Sequence, residues 1–471
     1  MKETLTLFFL FCLFMSADSV GAQSLEELQH IDIPLLQIET VGQVEPTCDY
    51  VHSPEGYLGN GIANPTKVPG RMRIYKGKDV LYDSGEYVDD ESGMKIRIRG
   101  NTSAYHRKKP YKINLEVKAD LLSRGNDEVF ADKEWILLRT GTDLHTHVGS
   151  AVSQLVCMQW TPAWQYVNVV LNGEYRGLYI LIESVKRNPL CRLKIDATWG
   201  CIIEYDAYIW NEDFYIPSAF TNVLGWTLKY PKADGLAKWK QQYIESLINA
   251  YEDGLMNYSY ESIIDMQSFA RWILGHDILG TSDQGGTNEY FTVDDYTAAN
   301  RKLVMPVMWD FDTVFKTPGE WSRCHDRQSF FVHLFSSKNL AFTKAYVREW
   351  RDFERSGKMA ALKQSLADYA AGREAQALNE SRVLDAKRYS ANYTTVQHDV
   401  QEVLEWLDSR EAWMQGRIFE MELSFNPDVA LGVDSIIKMP KMPIAKKIIR
   451  DGRIFILDGE NSYGVDGLRK R

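Results

Sequence analysis

Three groups of residues in this chain are equipped for chemistry. Asp310 and Asp312 close the apolar run "KLVMPVMWDFDTVF", residues 302–315. A period of two sets both carboxylates on one side of an extended segment, with Phe311 opposite. Neighbouring carboxylates raise each other's proton affinity unless a cation shares them. Mg²⁺ takes a few carboxylates together with phosphate and water oxygens. The plain alternative is an acidic strand end with no ligand. The second group is Asp283 with Asn288 in "TSDQGGTNEYF", where Gly285 and Gly286 make the loop permissive. Asp and Asn in such a loop also serve ordinary turns. The third is the basic stretch Lys95, Arg97, Arg99, His106, Arg107, Lys108, Lys109 and Lys112, in a chain of formal net charge -10. Arg and Lys bind phosphate oxygens strongly, and a solvated strand face is the alternative.

The order of the three groups carries more than any one of them. Cations, then a loop Asp with an Asn five residues on, then a strand-end Asp, is the order phosphoryl transfer needs. A cation clamps nucleotide phosphates, the loop Asp accepts the hydroxyl proton, and the Asn and strand-end Asp hold a metal. A glycosidase using Asp310 and Asp312 is the competing chemistry. Same-face strand positions lie about 7 Å apart, which suits an inverting pair, but that reading leaves the basic strand unexplained. The aromatic-rich "WSRCHDRQSFFVH" suits a glycan or protein surface, and core packing is the favoured reading. A globally acidic chain is a poor sequence-independent nucleic-acid binder, so no nucleic-acid partner is expected.

These residues need elements to position them. Residues 1–22 read as a signal peptide. Lys2 precedes an apolar run from Leu5 to about Met15, and Val20-Gly21-Ala22 fits a cleavage site. Cys12 lies inside that run rather than at its end. No later segment reaches the ~18 apolar residues of a membrane helix, so an exported protein is expected, in a periplasm, on an outer surface or outside the cell. Residues 23–93 read as a β-type extension. "MKIRIRG" and "PYKINLEV" alternate with a period of two and predict strands. "EWILLR", "GCIIEYD" and "GWTLKYP" predict further strands, and "LHTHVGSAVSQLVCMQW" a helix. In "WQYVNVVLNGEYRGLYILIESV", Asn172-Gly173 predicts a tight hairpin. Helical periodicity runs from about Leu236. "EYFTVDDY" and "RKLVMPVMWDFD" read as a hairpin set among the helices. The main domain is thus 94–423, β-rich to about 232 and helical from about 233. Residues 424–443, with three prolines, read as a linker, and 444–471 as a small β-hairpin tail. Of Cys48, Cys157, Cys191, Cys201 and Cys324, no pair has CxxC spacing, which argues against zinc. A Cys191–Cys201 disulfide and free thiols are both open.

The ordered set "KIRIRGNTSAYHRKKPYKINL", "EWILLRTGTD", "YVNVVLNGEYRGLYILIESV", "CIIEYD", "LKYP", "DQGGTNEYF" and "VMPVMWDFDTVF" resembles the CotH kinase family over about residues 94–315. The resemblance implies an α+β, atypical protein-kinase-like two-lobe fold and an exported kinase. It would use ATP and Mg²⁺ or Mn²⁺ to phosphorylate Ser or Thr of secreted or cell-envelope proteins. It implies Asp283 as the catalytic Asp, and Asn288, Asp310 and Asp312 as metal ligands. Lys109 or Lys112 would bind phosphate, with Glu183 as that lysine's carboxylate partner, and Arg99 and Asn101 would face the phosphates. The chain departs from the family's usual Arg-Gly-Asn-Ser-Thr-Trp at Thr102-Ser103-Ala104-Tyr105, and has "LHTHVGS" where an Arg-Asn pair is common. The tail is similar to C-terminal modules of exported Bacteroidetes-type proteins. A catalytically degenerate scaffold protein of the cell envelope on the same fold is the alternative.

Overall fold

The computed structural model describes residues 25–139 and 144–428, and strands 446–450, 453–458, 461–464 and 469–470 of the tail. The expected signal peptide, Thr140–Asp143 of "RTGTD", and the expected linker from residue 429 onward lie outside the described residues. Among the described residues, no helix is long and apolar enough to cross a membrane.

After α1 (Leu25–His30) come β1 (Leu35–Thr40), a ribbon of β2 (Asp49–His52) and β3 (Asn60–Ala63), β4 (Val68–Lys76) and β5 (Asp79–Asp83). β6 (Met94–Ile98), β7 (Tyr111–Ala119), the short α2 (Asp127–Phe130) and β8 (Asp132–Arg139) follow. Then come α3 (His145–Leu155), β9 (Trp164–Leu171) and β10 (Glu174–Glu183). The large sheet runs β1-β9-β10-β8-β7-β6-β4-β5, and β4 also pairs with β1, so the sheet closes into a barrel with β5 outside the ring. The 23–93 segment is therefore no separate extension, because β1 and β4 close the barrel. Closure removes the exposed strand edges of an open sheet. At the seam Thr40 faces Gly70, where a Cβ would stand 2.5 Å from the Glu39 carbonyl oxygen. Only glycine fits there.

Alternation decides which face is inside. Met94, Ile96 and Ile98, Tyr111, Ile113 and Leu115, Trp135 and Leu137 fill the interior. Arg97 and Lys112, cross-strand partners, point outward. The β9–β10 hairpin turns through Asn172 and Gly173 at φ 53° and 77°, the positive-φ pair that this turn requires.

A second sheet, ordered β12-β13-β11-β14, is built from β11 (Cys201–Asp206), β12 (Ile216–Pro217), β13 (Gly225–Tyr230) and β14 (Glu289–Val293). Helices α4 (Lys238–Met256), α5 (Met266–Leu279), α6 (Ala341–Arg355), α7 (Lys358–Ala371), α8 (Arg373–Tyr389) and α9 (Val396–Leu423) make the helical part. The fold is α+β.

The expected hairpin between β14 and residues 302–312 does not form. β14 pairs along its length with β11, and Val304 makes only an isolated bridge to Thr292. Pro306 has no N–H to give to a ladder. Met305, Val307, Met308 and Trp309 are all buried, so the apolar run crosses the core as an irregular segment. Side chains satisfy part of its backbone: Trp272 Nε1 donates to Val307 O at 3.0 Å, and Met305 N to Ser268 Oγ at 3.2 Å.

Cys191 and Cys201 are free thiols, and Cys201 is fully buried. In "WSRCHDRQSFFVH", Cys324, Phe330 and Phe331 are core. Residues 416–471 form a second compact unit. Its strands β15 (Lys446–Arg450), β16 (Arg453–Asp458), β17 (Asn461–Gly464) and β18 (Arg469–Lys470) make a four-stranded antiparallel sheet rather than a single hairpin.

Candidate active site

Helix α5 delivers the Asp283 loop. Its start is capped by Asp265, which accepts from Ser268 N at 2.8 Å. Its end is Gly280 at φ 58°, the left-handed stop that glycine permits. The loop beyond is tied to the Asp310 segment on both sides. Ser282 N donates to Thr313 O at 3.2 Å, and the buried Gln284 donates through Nε2 to Asp310 O at 3.0 Å. Glu289, wholly buried, accepts from Gly285 N at 2.7 Å and holds the glycine turn closed. Burial pushes the Glu289 carboxyl well above its ordinary range.

Asp310 has φ 61°, so the expected extended geometry of "DFD" is replaced by a left-handed turn that Asp tolerates. Phe311 is 6% exposed and packs on α3. A Cβ at Gly149 would lie 2.3 Å from the Phe311 ring. Gly149→Ala is therefore expected to cost about 1–3 kcal/mol by overpacking. By displacing the carboxylates next to Phe311, it should also slow any reaction at this site up to about 10²-fold. Thermal melts beside rates taken well below the midpoint separate the two effects. A full-rate, destabilised protein would count against Phe311 as the prop.

Removal from water pushes Asp310 up to about 7, the charges of Asp312 and Asp283 add to this, and Arg99 opposes them. Burial raises Asp283 as well, followed by Asp312, against the cations Arg323 and Lys316. The three carboxylates thus share one electrostatic neighbourhood. Asp283 is half-buried and Asp312 exposed.

Cations of the barrel come within electrostatic reach of these carboxylates. Arg97 and Lys112 lie on the outward side of β6 and β7, and Arg99 directly follows β6. The charge of Arg99 reaches Asp310 and Tyr290, and His106 is within electrostatic reach of Arg139, Lys109 and Asp312. Tyr208 joins Thr102 across the gap, oxygen to oxygen at 2.9 Å.

The two candidate lysines part company. Lys112 Nζ lies 3.0 Å from Glu134, beside Arg97 and Lys186. Burial lowers its pKa, and Glu134 opposes the shift. Lys109 turns to the barrel mouth, bonding Tyr50 OH at 2.6 Å and Ala104 O at 2.8 Å. Glu183 pairs with neither. It binds Arg124 at 3.1 Å and Ala163 N at 3.0 Å, so the expected Lys–Glu183 pair is replaced by Lys112–Glu134. Strand pairing decides this: Lys112 lies opposite Ile136 on β8, and Glu134, two residues away, shares that face. The Asn288 amide donates only to Thr287 Oγ1, at 3.4 Å, and Asn101 makes no side-chain hydrogen bond among the described residues.

Sequence reasoning missed Gln284, Glu289, Arg323 and Glu134. Gln284 and Glu289 flank the quoted glycines, and their burial was the missing signal. Nothing local marks Arg323 or Glu134.

At the end of β11, Asp206 is pushed up to about 7 by burial and then by Glu204, against Lys229, whose Nζ is 2.8 Å from Glu204 and 3.9 Å from Asp206. A raised acid favours the fold while protonated. Its contribution is complete below the unfolded value, about 4, and is lost as pH rises through 7. Asp206→Asn should therefore gain stability over the parent at about pH 8 and lose that advantage at about pH 5. Denaturant melts at both pH values test this, and a pH-independent difference would contradict it.

The carboxylates of Asp283 and Asp310 share one electrostatic neighbourhood with Arg99, in an α+β fold whose large sheet is a closed barrel rather than the expected two-lobe kinase-like arrangement. Residues 96–414 match the family model described as CotH kinase protein, and the chain belongs to that family. No curated protein matches the chain.

Proposed function

We propose that this protein is an exported kinase that transfers the terminal phosphate of ATP to Ser or Thr hydroxyls of secreted or cell-envelope proteins. One observation carries the reading: Asp283, Asp310 and Asp312 share a neighbourhood that Arg99 enters. Asp310 and Asp283, each with its proton affinity raised by burial and by the neighbouring Asp312 charge, suit a shared hard cation. Asp310 and Asp312 would hold Mg²⁺ or Mn²⁺, with Asn288 as a further oxygen donor. The metal would neutralise charge on the phosphate oxygens during transfer.

The protein's own groups divide the remaining work. Asp283 accepts the hydroxyl proton, for which its raised proton affinity is a better match than an ordinary carboxylate. Arg99 and Asn101 face the phosphates. Lys112 is the favoured phosphate lysine, because it shares the outward face of Arg97 and is held by Glu134. Gln284 and Glu289 position the Asp283 loop.

The test is binding first and transfer second. A ligand at about 100 times its Kd stabilises the native state by ~2.7 kcal/mol. Millimolar ATP with Mg²⁺ or Mn²⁺ should raise the melting midpoint, and label from γ-labelled ATP should reach a Ser/Thr protein acceptor. No midpoint shift would favour the degenerate scaffold. A shift without transfer would leave a nucleotide-binding protein that is not a kinase.

A further inference from the structure

The barrel has a second charged feature, away from the acidic turn. Where β6 ends and β7 begins, Ile98, Tyr111 and Tyr179 floor a cavity of about 330 Å³. Arg107, Lys109, Arg176 and Arg388 line it, with Glu45 as the one carboxylate among its lining residues. In a chain of net charge -10 this concentration of cations is unexpected.

Their partners do not neutralise them. Arg107 has no carboxylate partner among the described residues, and its guanidinium sits 5.8 Å from the Tyr389 ring centroid. Lys109 bonds only neutral oxygens, Tyr50 OH and Ala104 O. Arg176 and Arg388 share the half-exposed Glu174, and Arg176 also takes Glu45 at 2.6 Å. The Nε atoms of both arginines are buried without an acceptor. The four cations of the lining outnumber its one carboxylate, which leaves donor forks for an anion in the cavity. Tyr50 and Tyr389 add flat amphipathic faces suited to a ring.

We propose that the barrel mouth binds a phosphate monoester carried on a single ring. Paired arginines recognise the phosphate through their planar donor forks, and the tyrosines hold the ring. The volume is at the low end of small-molecule pockets, about 300–1,000 Å³. That suits one ring and one phosphate rather than a nucleoside triphosphate. Barrel mouths are a recurrent place for such pockets.

The test is calorimetric titration of the full chain without metal or nucleotide, so that it stands or falls apart from the kinase reading. The probes are phenyl phosphate, glucose 6-phosphate and inorganic phosphate. At least one ester should bind about tenfold or more tighter than inorganic phosphate. The tighter ester tells an aromatic from a sugar source. Arg107→Gln, on an exposed side chain, and the double variant Arg107→Gln/Arg388→Gln should each weaken the ester, the double by about tenfold or more. Asp310→Asn should bind it as the parent does. Ester binding that survives the double variant, or no ester binding tighter than inorganic phosphate, overturns the proposal. Unchanged melting of the single variant excludes unfolding as the cause of a loss.

Discussion

Asp310→Asn is expected to lower metal-dependent phosphate transfer by about 10²–10³-fold or more while the melting midpoint stays level or rises. The two effects have one cause. Asp310 is a desolvated carboxylate facing Asp312 and Asp283, with Arg99 as the opposing charge. Losing its charge relieves repulsion in the resting protein, yet removes a hard oxygen donor that a metal would need. Asn is the right replacement because the position has φ 61°, which Asn tolerates and Ala does not. Gln284 bonds the main-chain oxygen of Asp310, not its side chain, so the tie to the Asp283 loop survives. Asp312→Asn should have a smaller effect, since that side chain is exposed. Transfer at the parent rate in Asp310→Asn would sink the metal assignment. A fall in both rate and midpoint would instead point to damage to the fold.

The second large effect lies behind the site. Asp277 of α5 is wholly buried, and three donors converge on its carboxylate: His325 Nε2 at 2.8 Å, Tyr346 OH at 2.7 Å and Ser322 N at 3.2 Å. Burial alone would raise its pKa. The interactions with His325, Arg410 and Ser322 outweigh burial and hold it below the ordinary value. Arg410 binds the Asp277 main-chain oxygen at 2.6 Å and Pro318 O at 2.9 Å. Together they pin the loop that brings Arg323 and Lys316 beside Asp283. Asp277→Ala leaves buried donors without an acceptor and should cost about 3–5 kcal/mol. Tyr346→Phe, which removes one neutral donor, should cost about 1 kcal/mol. Urea melts decide this. A loss under about 1 kcal/mol in Asp277→Ala would mean that the loop is held by other contacts. Because the folded pKa is depressed, this stability is present at neutral pH and is lost as pH falls through the folded value.

Much of this was legible from local pattern. The alternation of Met94, Ile96 and Ile98 with Lys95 and Arg97 determined a strand and its two faces, because a pleated chain repeats every two residues. Asn172-Gly173 determined a hairpin, because few residues accept positive φ. The ordered set of segments from "KIRIRGNTSAYHRKKPYKINL" to "VMPVMWDFDTVF" carried the resemblance to the CotH kinase family, which the match over residues 96–414 bears out.

What lay outside any local window was settled by pairing between distant segments. Only the tertiary structure decided that β1 and β4 close a barrel, since Thr40 and Gly70 meet through a seam that no local period encodes. Only it decided that Glu134, not Glu183, faces Lys112, since that choice depends on the register of β7 against β8. It also separated Lys109 from Lys112, since neighbouring positions on a loop-to-strand boundary can face different compartments. The "DFD" segment shows the division most clearly. The sequence determined that two carboxylates would end an apolar run. Burial of that run against α5, the left-handed turn at Asp310 and the packing of Phe311 on Gly149 decided where those carboxylates point.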